Sequence, residues 1–202
     1  MLSIKAILLL GLLLLVQPTK LKTILFFGDS LTAGYGLSAD EAFPALLEQE
    51  LNKGTQKVKV INGGLSGETS AGGLSRIDWL LRKPIDIFVL ELGANDGLRG
   101  LPLAQTKRNL QAIINKVKTK YPEAKIVLAG MMVPPNMGRQ YTDEFKNMYP
   151  QLAKINNNIL IPFILKDVGG IEKLNQADGI HPTAEGHKII ARNLKDMIEK
   201  LL

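Results

Sequence analysis

No cysteine occurs among the 202 residues, which excludes disulfides, thiolate-bound zinc, iron–sulfur clusters and cysteine nucleophiles. Histidine occurs only twice, too few for a metal centre built from several imidazoles. Aromatic side chains make up 5% of the chain. The excess of 25 Lys and Arg over 19 Asp and Glu gives a net charge of +6, spread over many segments rather than gathered into one. Nucleic-acid recognition asks for a concentrated basic face with interleaved aromatics, so no nucleic-acid partner is expected. Solvated surface charge accounts for the excess, with a mild attraction to anionic lipid or acidic substrates left open. Beyond residue 22 there is no linker, internal repeat or low-complexity stretch. Chemistry therefore falls to hydroxyls, carboxylates, amides and two imidazoles, and neither metal nor cofactor is expected.

What is present begins with an apolar leader. Met1-Leu-Ser-Ile-Lys5 precedes the run Ala6 to Val16, the layout of a secretory signal. A helix through that run rises about 1.5 Å per residue and reaches only about half of a ~30 Å hydrocarbon core. Residues 1–20 thus read as a signal peptide or as an N-terminal hydrophobic anchor at the membrane surface. Val16-Gln-Pro-Thr-Lys20 contains no Ala-x-Ala cleavage site. On the leader alone, export to the periplasm or cell surface is expected, and residues 22–202 form the working domain.

Short apolar runs then alternate with helical patterns. Thr23–Phe27, Val58–Ile61, Ile85–Leu92, Lys125–Ala129 and Ile159–Ile164 read as buried strands, and Pro162 points to an edge position for the last. Helical periodicity covers Ala42–Asn52, Leu74–Leu81, a segment opened by Pro102 at its first position, Thr142–Asn156, and a last helix from Pro182. Alternation of this kind implies right-handed crossovers and a parallel sheet covered on both faces, a three-layer α/β domain.

In such sheets ligands bind beyond the carboxyl ends of the strands. Those positions hold Gly28-Asp-Ser30, Asn62-Gly-Gly-Leu-Ser-Gly-Glu-Thr-Ser70, Gly93-Ala-Asn-Asp96 and, before the last helix, Asp178-Gly-Ile-His181. Each alone reads equally as a turn or a cap. Neither a P-loop nor a G-x-G-x-x-G fingerprint is present, nor is the G-x-S-x-G elbow. Together, however, the segments supply a hydroxyl, a base of ordinary pKa near 6.5 and a carboxylate to orient it. Bare backbone N–H groups of a glycine loop and the Asn95 amide supply donors for a developing oxyanion.

Gly28-Asp-Ser-Leu31, Gly67 within Ser-Gly-Glu-Thr, Gly93-Ala-Asn-Asp96 and Asp178-x-x-His181 resemble, in order and approximate spacing, four sequence blocks of the GDSL/SGNH hydrolase family. Glu91-Leu-Gly-Ala-Asn-Asp-Gly-Leu-Arg-Gly100 is similar to its bacterial arylesterase, thioesterase and lysophospholipase branch. Ala94 departs from the pattern, standing where relatives often carry a second glycine. The resemblance implies a flavodoxin-like five-stranded parallel sheet of order 2-1-3-4-5. It further implies Ser30 as nucleophile, His181 as general base and Asp178 as its orienter. The oxyanion hole would comprise the N–H groups of Ser30 and Gly67 with the Asn95 amide. A mobile loop around Leu98 and Arg99 beside the acyl pocket is implied too. Val133 and Pro134, within Met131–Pro135, form another expected wall.

The remaining residues divide. His187 shares a helical stripe with Ile190 and Leu194 and reads as packing, as do Trp79 and Met148. Asp29 and Asp96 read either as a supporting hydrogen-bond shell or as solvent-facing turn carboxylates. Arg99 reads as solvated, or as a contact for a lysophospholipid or coenzyme A phosphate. The expected activity is hydrolysis of a small-molecule acyl ester or lysophospholipid by a monomer or weak oligomer. Carbohydrate deacetylation on the same machinery and a non-catalytic ligand-binding module are the alternatives.

Overall fold

The computed structural model describes residues 21–202, and the readings of the leader lie outside them. Five parallel strands, β1 (Lys22–Gly28), β2 (Val58–Asn62), β3 (Ile87–Glu91), β4 (Lys125–Ala129) and β5 (Ile159–Ile161), form one sheet of order β2-β1-β3-β4-β5. The three inner strands are almost wholly apolar because helices cover both faces. Consecutive residues on a strand point to opposite faces. Phe26 meets Phe43 edge-on at 5.4 Å, whereas Phe27 lies under the Arg76 guanidinium. The helices therefore fall into two layers. On the Phe26 face lie α2 (Phe43–Leu51) and α7 (Ala184–Glu199), packed against one another; the Phe27 face carries α3 (Ser70–Leu80), beside α5 (Leu103–Lys120), which touches α6 (Arg139–Asn156).

Two single-turn helices escape the sequence periodicity: α1 (Ser30–Ala33) directly after β1 and α4 (Ala94–Leu98) after β3. Both are too short for a 3.6-residue pattern. Helix α3 starts at Ser70, four residues before the apolar stripe, because Thr69 caps it by accepting from Gly72 N–H. Helix α6 starts at Arg139 rather than Thr142 and contains Pro150. Pro102 immediately precedes α5 instead of opening it. Strand β5 stops at Ile161: Pro162 cannot extend the ladder, and the Ile164 N–H instead donates to the Gly130 carbonyl. β5 does lie at the sheet edge. Trp79 is 63% exposed, so the packing role expected for it is corrected, whereas Met148 and His187 are buried.

Candidate active site

β1 delivers Ser30 to the carboxyl end of the sheet's central region. The chain must turn sharply there, and Asp29 caps the turn by accepting from Leu31 N–H at 3.1 Å. Gly28 is required at the bend, since a side chain would run into Thr32 Oγ1 and Glu91. Beneath the turn Glu91 Oε2 accepts from the Thr32 hydroxyl at 2.8 Å and from the Asp29 N–H at 3.3 Å.

Ser30 Oγ lies 2.9 Å from His181 Nε2, and His181 Nδ1 lies 2.6 Å from Asp178 Oδ2. Asp178 is itself held by the loop before α7, accepting from Ile180 N–H at 2.9 Å and His181 N–H at 3.0 Å. The hydrogen bond to the His181 ring and these two backbone bonds hold its carboxyl at about 2, so it stays ionised at working pH. The Tyr35 ring stands 4.5 Å from the imidazole. Gln176 ties the two segments together, donating from its backbone to the His181 carbonyl and from its side chain to the Tyr35 carbonyl, both at 2.7 Å.

Two further segments converge on Ser30. The Asn95 amide, on α4, donates to Asp29 Oδ2 at 3.2 Å and lines the cavity beside Ser30. Gly67 sits in the exposed loop after β2 with φ +78°, a left-handed conformation suited to glycine. That loop is pinned from several sides. Arg76 pairs with Glu68 and donates to the Gly63 carbonyl at 2.8 Å, while Leu65 N–H donates to the Gly28 carbonyl at 3.0 Å. Asp96 joins the loop to α4, accepting from Ser70 N–H at 2.7 Å, Ser70 Oγ at 2.6 Å and Thr106 Oγ1 at 3.1 Å. Asp29 and Asp96 are thus both buried hydrogen-bonding groups rather than solvent-facing carboxylates.

A cavity of about 440 Å³ opens beside Ser30, Asn95 and His181 and is walled mainly by Leu31, Leu98, Met131, Met132, Pro134, Phe163 and Ile180. Leu98 and Pro134 take the wall positions expected of them. Val133 instead belongs to the buried core, and Arg99 turns aside to donate to the Gly67 carbonyl at 3.0 Å; neither lines the cavity. Among the described residues no group of His, Asp or Glu is arranged to hold a metal.

Sequence reasoning missed Glu91, whose only signal is a charged residue ending an otherwise apolar strand. It is fully buried, and burial together with the neighbouring Asp29 carboxyl raises its pKa well above the usual carboxylate range. Burial likewise pushes Asp29 up to about 6 against the opposing hydrogen bonds from Leu31 and Asn95. Two adjacent buried carboxyls cannot both ionise cheaply, and the Asp29 charge adds to the burial that raises Glu91. Ser70 and Tyr35 were missed as well, since neither belongs to a recognisable spacing.

Residues 26–189 match the GDSL-like lipase/acylhydrolase family, and the chain belongs to it. Among curated proteins it is 39% identical over 195 residues to "Esterase TesA" of Pseudomonas aeruginosa, covering 96% of each chain. It is also 39% identical over 191 residues to "Thioesterase 1/protease 1/lysophospholipase L1" of Escherichia coli K12, covering 94% of this chain and 89% of that one. The crystal structure of TesA superposes with a TM-score of 0.85 at 38% identity, covering 90% of this chain and all of that chain. That of AlinE4, an SGNH-hydrolase family esterase, gives 0.76 at 39%, covering 92% and 99%.

Proposed function

We propose that the protein hydrolyses carboxylic esters and thioesters through an acyl-enzyme on Ser30. The observation that carries this reading is the continuous hydrogen-bonded line from Ser30 Oγ through the His181 ring to Asp178. His181 Nε2 takes the hydroxyl proton as Oγ bonds to the acyl carbon, while ionised Asp178 fixes the tautomer and steadies the imidazolium. The resulting oxyanion lies against the Ser30 and Gly67 N–H groups and the Asn95 amide. Collapse expels the alcohol or thiol, which leaves with the proton from Nε2. Water then attacks the acyl-enzyme with His181 again as base, and the free acid departs.

The apolar walls favour an acyl chain in the cavity, and relatives named esterase, arylesterase and thioesterase/lysophospholipase support aryl, thio- and lysophospholipid esters as the substrate class. Export of the protein rests on the leader. Hydrolysis of p-nitrophenyl esters from acetate to palmitate, by wild type and Ser30→Ala, tests the mechanism. Loss of roughly 10⁴-fold or more in kcat is expected in the variant, with a fluorophosphonate labelling Ser30 in wild type alone. A folded wild type that neither turns over any ester nor takes the label would overturn it.

A further inference from the structure

We infer that the end of the sheet opposite the catalytic cavity is a basic face that docks on an anionic lipid bilayer. The cations that are scattered along the sequence are gathered by the topology. In a parallel sheet every amino end lies on the same side, as does each turn that leads from a helix into a strand. These turns and strand starts carry Lys57, Lys59, Arg82, Lys83, Lys120 and Lys125, all exposed. Lys57, Lys59, Arg82 and Lys83 take part in none of the ion pairs among the described residues. The acidic residues at this end are fewer: Asp86 and Asp78 are paired with Lys22 and Lys116, and Glu123 stands between Lys120 and Lys125 in the turn before β4. The catalytic end carries acidic residues instead, with Asp29, Asp96, Asp167 and Asp178 set around the strand ends near the Arg76–Glu68 pair, Arg99 and Lys166.

At the β2 edge the basic face also carries an apolar element. Trp79, 63% exposed, stands over a shallow cavity lined by Val60, Ile61 and Leu80 and rimmed by Lys59, Arg82 and Lys83. An indole flanked by cations suits the bilayer interface, where the ring sits at headgroup level and the charges meet lipid phosphates. The chain itself enters the fold here, at exposed Leu21 and at Lys22, paired in register with Val58. A few residues upstream lies the apolar run Ala6–Val16. One apolar segment gives only marginal attachment; a basic patch on the domain that follows it in the chain supplies the second signal that stable anchoring needs. Charge complementarity and the point of chain entry together select an anionic membrane as the partner. The cavity then opens on the far side of the domain, roughly 20 Å of strand and loop from the lipid, so substrate arrives from the aqueous phase.

Trp79 is the chain's sole tryptophan, so its fluorescence reads this face directly. The full chain is mixed with vesicles of phosphatidylcholine alone or of equal parts phosphatidylcholine and phosphatidylglycerol. With the anionic vesicles a blue shift is expected, with quenching by brominated acyl chains and weakening as salt is raised. Charge reversal at Arg82→Glu and Lys83→Glu should lower vesicle partitioning roughly tenfold or more, leaving hydrolysis of soluble p-nitrophenyl acetate unchanged. Three results would overturn the inference: unaltered Trp79 emission with anionic vesicles, equal and salt-independent binding to both vesicle types, or a shift elicited by heparin or duplex RNA but not by vesicles. The salt and quenching arms use wild type alone, so they decide the matter even if the double variant fails to fold.

Discussion

One hydrogen of the Asn95 amide is committed to Asp29 Oδ2, which orients the group and leaves its second hydrogen for the cavity. Asn95→Ala should therefore lower kcat by roughly 10²–10³ with little change in folding; a loss below tenfold would remove Asn95 from the oxyanion hole. Under the same turn, Glu91 serves the Asp29 N–H and the Thr32 hydroxyl as an acceptor. Glutamine supplies the same oxygen without an ionisable proton. Because the folded pKa of Glu91 is raised, the unfolded carboxyl ionises first, and its contribution to stability falls as pH rises above the unfolded value near 4.5. Glu91→Gln should accordingly be close to wild type in urea melts at pH 4 and more stable at pH 8. A variant that loses stability at pH 8 would show that the charge, not the acceptor, holds the turn.

At the scale of elements, α7 is joined to α2 through one imidazole. His187 Nδ1 accepts from Phe43 N–H at 3.0 Å and its ring stacks on Phe43 at 5.9 Å. An acceptor nitrogen must stay unprotonated, and burial brings its pKa down to about 4. The unfolded chain takes up that proton near pH 6.5, so stability is lost as pH falls from 6.5 toward 4 and levels off below. The full span corresponds to about 3 kcal/mol. Asp29 and Glu91 titrate with the opposite sign, so the test is the difference between wild type and His187→Gln, which should flatten this part of the urea-stability profile. The strands were legible in the sequence because burial on both faces makes each a short continuous apolar run. Helices α1 and α4 were not, being single turns imposed by the strand ends rather than by any repeat. Trp79 was misread for a related reason: it falls within the α3 apolar pattern, but at the exposed carboxyl end of that helix.

Across the whole molecule, the site was legible to the extent that its side chains lie in short glycine-flanked segments following the strands. What joins those segments was not: Ser70 reaches Asp96 across 26 residues and Gln176 reaches Tyr35 across 141, and neither leaves a local pattern. Val133 was misread as a wall residue because an apolar side chain in this segment suits the core as well as the cavity, and the structure puts Pro134 in the cavity wall and Val133 in the core. With the reaction assigned entirely to side chains and backbone amides, ester hydrolysis should be unchanged by EDTA; inhibition reversed by added metal would contradict that assignment. Ser30 and His181 meet across a separation of 151 residues, one at the first strand and the other just before the last helix. On the ribosome Ser30 therefore emerges long before His181. A nascent chain, or one cut before residue 181, holds the serine without its histidine, so the proposed acyl transfer has to wait until His181 has been added, and a fragment ending before that residue should hydrolyse no ester.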